Sequence, residues 1–187
     1  MPGDSPTVAE ILRRQARIRG EHPLLVCDGD RISYAEADRR SAELARGLIA
    51  VGAGKGTHVG LLYPNGTEFV IGMLATARIG AVVIPFSTFV TARELREQLM
   101  DSDVEILLAA ASFRSHDYVQ RLAEVLSHAE LDSDERLFVT TTPQLRHVIV
   151  NPERVYRHGF QFIVSVKKGQ HVALRPDDLA QPFHHGC

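Results

Sequence analysis

Four times before residue 95 a Ser, Thr or Asn stands three positions ahead of a Glu, at the head of a helically spaced apolar stretch. The pairs are Thr7 with Glu10, Ser33 with Glu36, Asn65 with Glu68 and Thr91 with Glu94. In a capping box the short side chain accepts from the amide of the third helical residue, and the Glu reaches back to the cap's own amide. The spacing therefore predicts four helix starts. The first helix carries Val8, Ile11 and Leu12. The second carries Ala37, Leu44, Ala45, Leu48 and Ile49 and stops at Gly52. The third carries Phe69, Val70, Met73, Leu74 and Ala77 and stops at Gly80, and the fourth carries Leu95 and Leu99. A glycine just past the last apolar position supplies the left-handed backbone that closes a helix. Between the helices lie apolar runs of strand length: Leu24–Cys27, Val59–Tyr63, Ala81–Phe86 and Val104–Ala109. Asp28, Gly29 and Asp30 form a turn, so a hairpin with Arg31–Ile32 precedes the second helix. The later runs are continuous rather than alternating, as in strands covered on both faces. Strand then helix, repeated, predicts an α/β fold: layered helices around a largely parallel sheet.

Beyond about residue 112 the pattern thins. It predicts a helix over Asp117–Leu126, with Val119, Leu122 and Val125 on one side, and short strands at Val148–Val150 and Phe162–Val166. No periodicity is left in Gln181–Cys187. With 187 residues, 44% hydrophobic and 24% charged, the chain reads as one folded domain rather than a disordered one. A net charge of -2 gives no strong overall field to recruit nucleic acid or an anionic membrane. No window is long and apolar enough to span a bilayer. Arg13, Arg14, Arg17 and Arg19 interrupt any leader-like run, so a cytoplasmic location is the expectation. Cys27 and Cys187 form neither a disulfide framework nor a metal pair.

The motif Gly52-Ala53-Gly54-Lys55-Gly56-Thr57 imitates a phosphate loop. A true one needs glycine where Ile49 stands, and it must follow a strand and open a helix. Here it closes a helix and leads into a strand, so a helix-end turn is expected. The histidines His147, His158, His171, His184 and His185 match no zinc spacing. Ser33, Ser41 and Ser87 lack a nucleophile-elbow context. Asp101 and Asp103 sit in a turn, as do Asp177 and Asp178.

The order of these pieces resembles the adenylate-forming superfamily. Asp30-Arg31-Ile32-Ser33-Tyr34-Ala35-Glu36-Ala37-Asp38 is similar to the family's early core motif, with Ala37 in place of the usual Leu. Val51–Val59 resembles its helix-end turn, and Leu61–Phe69 its next strand–helix junction. Arg78-Ile79-Gly80-Ala81-Val82-Val83-Ile84-Pro85 resembles its second core motif, and Thr91–Ile106 the helix and strand that follow. Phe86-Ser87-Thr88 departs from the commoner Leu-Asn after the proline. Order and spacing match over roughly residues 7 to 110, and the text is most similar to AMP-forming acyl-CoA ligases of fatty or related carboxylic acids. The resemblance implies ATP, Mg²⁺ and CoA for the full-length family. A carboxylate attacks the α-phosphate to give acyl-AMP, and the CoA thiol then displaces AMP.

The Ser/Thr/Gly-rich phosphate loop of that family, its adenine and ribose motifs and its late catalytic Lys have no counterpart in these 187 residues. The expectation is therefore no catalytic, no cofactor-binding and no metal-ligating residue, and no cofactor for this chain alone. Arg175-Pro176-Asp177-Asp178-Leu179-Ala180 resembles the lead-in to the phosphate loop, after which the text loses its sense. Residues 1–180 are thus expected to form a partial AMP-binding domain, with 181–187 an aberrant tail left by a frameshift or premature stop. The other expectation is a non-catalytic interaction module, or half of a split ligase that pairs with the missing remainder or a full-length relative. Missing neighbours for strands such as Ala81–Phe86 would remove on the order of 10 kcal/mol and leave the chain marginally stable.

Overall fold

The computed structural model describes residues 5–27, 29–126, 136–151, 162–167 and 170–174. Helix α1, Val8–Arg19, opens on a complete capping box: Thr7 accepts from the Glu10 amide, and the Glu10 carboxylate accepts from the Thr7 amide at 2.7 Å. Strands β1, Pro23–Cys27, and β2, Asp30–Ser33, form the expected antiparallel hairpin, with Gly29 at φ 89° in its turn. Helix α2, Tyr34–Ala50, is capped by Ser33. Its Glu36 does not return to the cap but holds Arg39. Strand β3, His58–Leu62, leads to helix α3, Thr67–Arg78, and then to strand β4, Val82–Pro85. Helix α4, Ala92–Asp101, opens on a second complete box, Thr91 with Glu94. Strand β5, Ile106–Ala110, follows, then a small pair, β6 at Ser112–Phe113 and β7 at His116–Asp117. Helix α5 is Tyr118–Val125 and strand β8 is His147–Asn151. Strands β9, Phe162–Lys167, and β10, Gln170–Leu174, form an antiparallel pair. The pattern gave no sign of β6, β7 or β10.

The central sheet has four parallel strands in the order β4-β3-β5-β8. The chain moves one way from β3 to β4 and then steps back across β3 to reach β5. Parallel crossovers are right-handed, so this reversal puts α3 on one face and α4 and α5 on the other. The packing agrees: α3 lies with α1 and α2, and α4 lies with α5. Gly72 of α3 brings that helix against Leu61 and Leu108, while Gly60 of β3 faces Phe86, Leu107 and Val104 on the other side. Strand β5 is buried along its whole length. Edge strand β4 is exposed at Val82 and Pro85.

Three local expectations need correction. Asn65 does not cap α3: Gly66 is the N-cap, with no side-chain cap bond, and Glu68 instead pairs with Arg40 at 2.5 Å. Ile49 and Met73 lie on the solvent side of their helices, at 56% and 38% exposure. Ser41 and Thr76 are buried in the same helices, with hydroxyls bonded to the carbonyls of Ala37 and Gly72 four residues back. On α1 it is Ala9 and Leu12 that are buried, while Val8 and Ile11 face out.

Helices α2 and α3 are fastened by Arg78, whose side chain is 10% exposed. Its Nε donates to Ser41 Oγ at 2.9 Å, and its Nη2 donates to the Asp38 carbonyl at 3.0 Å and to the Asp38 carboxylate. The arginine of the second core motif thus holds the helix that begins in the first.

Candidate functional site

Ligands of open parallel sheets bind outside the carboxyl ends of the strands, where the direction of connection reverses. In this chain that place lies between β3 and β5. Strand β3 ends at Leu62, and the chain runs through Tyr63, 5% exposed, and then Pro64, Asn65 and Gly66 into α3. Burial, and then the Glu68 carboxylate, push the Tyr63 hydroxyl far above its ordinary range, so it stays a neutral phenol. Strand β5 ends at Ala110, and the Ala111 carbonyl receives the amides of Tyr118 and Val119 at 3.0 and 3.4 Å.

Beside this end the two loops after β4 and β5 meet in a cluster that sequence spacing did not reveal. The His116 ring stands edge-on to Phe89 at 5.8 Å and stacks on Tyr118 at 6.5 Å. Arg121 can only donate, so its contact of 3.2 Å makes His116 Nδ1 the acceptor. Arg121 and the Tyr118 hydroxyl both donate to the Thr88 carbonyl at 3.3 Å. Burial raises the Tyr118 hydroxyl, against the opposing pull of Thr88 and Arg121. These contacts clamp one loop to the other. They bring together an imidazole, a guanidinium and a phenol.

The glycine-rich turn Gly52–Thr57 lies at the other end of the sheet, and five of its six amides are already used. Gly52 and Ala53 donate to Ile49 and Leu48, both at 2.9 Å, and Gly54 donates to Thr57 Oγ1 at 3.0 Å. Gly56 donates to the Gly80 carbonyl at 2.9 Å and Thr57 to Gly54 at 3.1 Å. The first two bonds make a Schellman end for α2, with Gly52 at φ 96°. Helix α3 closes the same way at Gly80, φ 70°, through the amides of Gly80 and Ala81. The stem of Lys55 rests against Gly80. A phosphate would find these five amides spent, so the helix-end reading holds.

The remaining candidates stay apart. Ser33 is a helix cap, Ser41 belongs to the Arg78 network, and Ser87 accepts from the Phe89 amide at 3.3 Å. Asp101 ends α4, and Asp103 turns the chain at φ 50°. Among the described residues no group of three His, Cys, Asp or Glu could hold a metal ion. His158, His184, His185, Asp177, Asp178 and Cys187 lie outside the described residues. Cys27 is a free thiol beside the Asn65 carbonyl. A groove of about 580 Å³ between α1 and α2 is lined by Arg13, Arg17, Arg39 and Arg46 with Asp38 and Glu43. Its carboxylates are engaged, Asp38 by Arg78 and Glu43 by Arg39.

His147 starts β8 with its Nε2 buried and unpaired. Burial, then Arg136 and Arg146, hold its imidazole below the ordinary 6.5. The unfolded chain therefore takes up this proton more readily, and folding loses stability as pH falls below about 6.5. The expected result is a urea midpoint that drops between neutral and mildly acidic pH, with a shallower drop in His147→Gln.

The chain matches the family model described as AMP-binding enzyme over residues 12–181. It is 36% identical over 141 residues to novobiocin biosynthesis protein H of Streptomyces niveus, covering 74% of this chain and 23% of that protein. It is 33% identical over 106 residues to 2-succinylbenzoate–CoA ligase of Oceanobacillus iheyensis, covering 57% of this chain and 22% of the relative. The chain thus spans less than a quarter of either relative. Among solved structures, acetoacetyl-CoA synthetase from Streptomyces lividans superposes with a TM-score of 0.65 at 26% identity, over 82% of this chain and 23% of that one.

Proposed function

This chain belongs to the AMP-binding enzyme family, and from that premise we propose that it carries the amino-terminal subdomain of an AMP-forming acyl-CoA ligase without the residues that perform the reaction. Residues 1–180 are read as a partial AMP-binding domain. In a full-length ligase of this kind ATP, Mg²⁺ and CoA take a carboxylic acid, a fatty acid in the first instance, through acyl-AMP to the thioester.

The observation that carries this reading is the use already made of the polar groups that could receive a phosphate, in the glycine-rich turn and around Arg78. Bringing a carboxylate to the α-phosphate of ATP places two anions together, which demands donors or a metal aimed at the phosphates. Five of the six amides of the glycine-rich turn are bonded within the chain, and Arg78 holds Asp38 and Ser41. Among the described residues no carboxylate cluster could hold Mg²⁺. The chain's contribution is a scaffold: a buried parallel sheet whose carboxyl ends and flanking loops would support catalytic segments supplied elsewhere.

The test is direct. Purified chain that shows a cooperative thermal transition is incubated with ATP, Mg²⁺, CoA and a fatty acid, and AMP and acyl-CoA are measured. No product above the protein-free control is the expected result, and acyl-CoA formed in proportion to the chain would overturn the reading. Edge strand β4, exposed at Val82 and ending near the exposed Phe89, favours a second reading as half of a split ligase. That reading predicts recovery of acyl-CoA formation when a chain supplying the later family motifs is added. A mixture with no more activity than that second chain alone would count against it.

A further inference from the structure

Helix α1 turns three large apolar side chains to solvent on one side. Val8, Ile11 and Ile18 are 50%, 42% and 70% exposed. At 100° per residue they fall within an arc of about 80°, which Gln15 shares and which begins about 40° from the buried Leu12. Arg14 borders this arc on one side and Arg19 on the other, and Arg13 and Arg17 lie beyond Arg14. The helix has one carboxylate, Glu10, which is bonded to the Thr7 amide and hydroxyl. Arg14 and Arg17 form no ion pair among the described residues, and Arg19 donates from Nε to Gln15 and lies over the Tyr34 ring. On the adjoining face of α2 the acids are likewise engaged: Glu36 and Glu43 hold Arg39, and Asp38 holds Arg78. Among the described residues the carboxylate without an ion pair next to the helix is the exposed Glu21.

An exposed apolar stripe bordered by uncompensated arginines is the pattern of a helix that lies in a lipid–water interface, with side chains in the acyl boundary and guanidinium groups among phosphates. We propose that the outer face of α1 rests on an anionic lipid surface. The chain's net charge of -2 does not oppose this, because membrane surface potential acts within about a Debye length and is felt by the nearest charges. Among the described residues no helix is long and apolar enough to cross a membrane, so the contact is peripheral. It stands independently of the ligase reading.

The test uses the full chain in flotation with vesicles of phosphatidylcholine alone or phosphatidylcholine mixed with phosphatidylglycerol. The expected result is uptake by the mixed vesicles at low salt and little by the neutral ones. Ile11→Ser with Ile18→Ser should weaken uptake roughly tenfold. Arg14→Gln with Arg17→Gln should weaken it comparably and flatten its dependence on salt. Val26→Ser, at an exposed apolar residue of the β1–β2 hairpin, should leave it unchanged. Circular dichroism of each variant checks that the fold is kept. Failure to bind the mixed vesicles, or uptake indifferent to the isoleucine pair, would overturn the proposal. Self-association that needs Ile11 and Ile18 without vesicle uptake would also overturn it and assign the face to a second copy.

Discussion

Replacing Arg78 with alanine is expected to cost the fold about 3 kcal/mol, a large part of the net stability of a domain of this size. The loss exceeds that of one bond. The Asp38 carboxylate, whose side chain is 29% exposed, would be left between two helices without its counter-charge, and Ser41 would lose its donor. Arg78→Lys is expected to recover roughly half of this, because an ammonium can face Asp38 but cannot also reach Ser41 and the Asp38 carbonyl. Urea unfolding of the wild type, Arg78→Ala, Asp38→Ala and the double variant would check it. A coupling between the two positions below about 0.5 kcal/mol would mean that the network does not join α2 to α3.

Gly60→Ala is expected to be nearly as damaging, although it adds one carbon. A Cβ there would lie 2.6 Å from Phe86 Cε2, 2.9 Å from Leu107 Cδ1 and 3.2 Å from Val104 Cγ1. All three neighbours are buried, at 6%, 0% and 0% exposure, and have little room to retreat. Overpacking of this kind costs about 2–3 kcal/mol, and Gly60→Val should cost more. Gly72→Ala is the internal comparison. Its new carbon meets a Leu61 methyl at 3.0 Å, a side-chain end that can shift, and alanine in a helix regains about 1 kcal/mol of propensity. Thermal denaturation should rank Gly60→Ala well below Gly72→Ala, and equal midpoints would show that the opposite face of β3 is looser than the contacts imply.

What the sequence made legible was what is settled locally. Thr7, Ser33 and Thr91 cap helices because the bonds span three residues. Gly52 and Gly80 end helices because their left-handed backbone follows from a run that cannot continue. The alternation of strand and helix gave the α/β class, and its continuous runs gave the buried parallel strands. The errors begin where a distant partner decides. Helical spacing placed Ile49, Met73, Val8 and Ile11 in the core, but the side a helix turns inward depends on what it meets. Arg78 instead selected Ser41 and Asp38 on α2, 37 and 40 residues away in sequence. Asn65 looked like a cap, yet Glu68 was claimed by Arg40, 28 residues upstream. The His116 cluster was invisible for the same reason: its parts, Phe89 and the Thr88 carbonyl, arrive from the previous connection. The glycine-rich turn could be read against its own motif because the order of elements, helix before and strand after, was itself in the sequence.

The strand order also has a consequence for how the chain is made. Strand β3 is central, yet it is synthesised first, and its two neighbours follow on opposite sides. From the end of β3 at Leu62 to the start of β5 at Ile106 the ribosome must add 44 residues (106 − 62), which takes about 2–9 seconds at ordinary elongation rates. During that interval the β3–α3–β4 unit can close on one face, while the flank that β5 will occupy is a bare parallel edge. This nascent chain is thus most open to misassembly while its middle strand waits for the second neighbour, and pauses in translation between α4 and β5 would prolong that exposure.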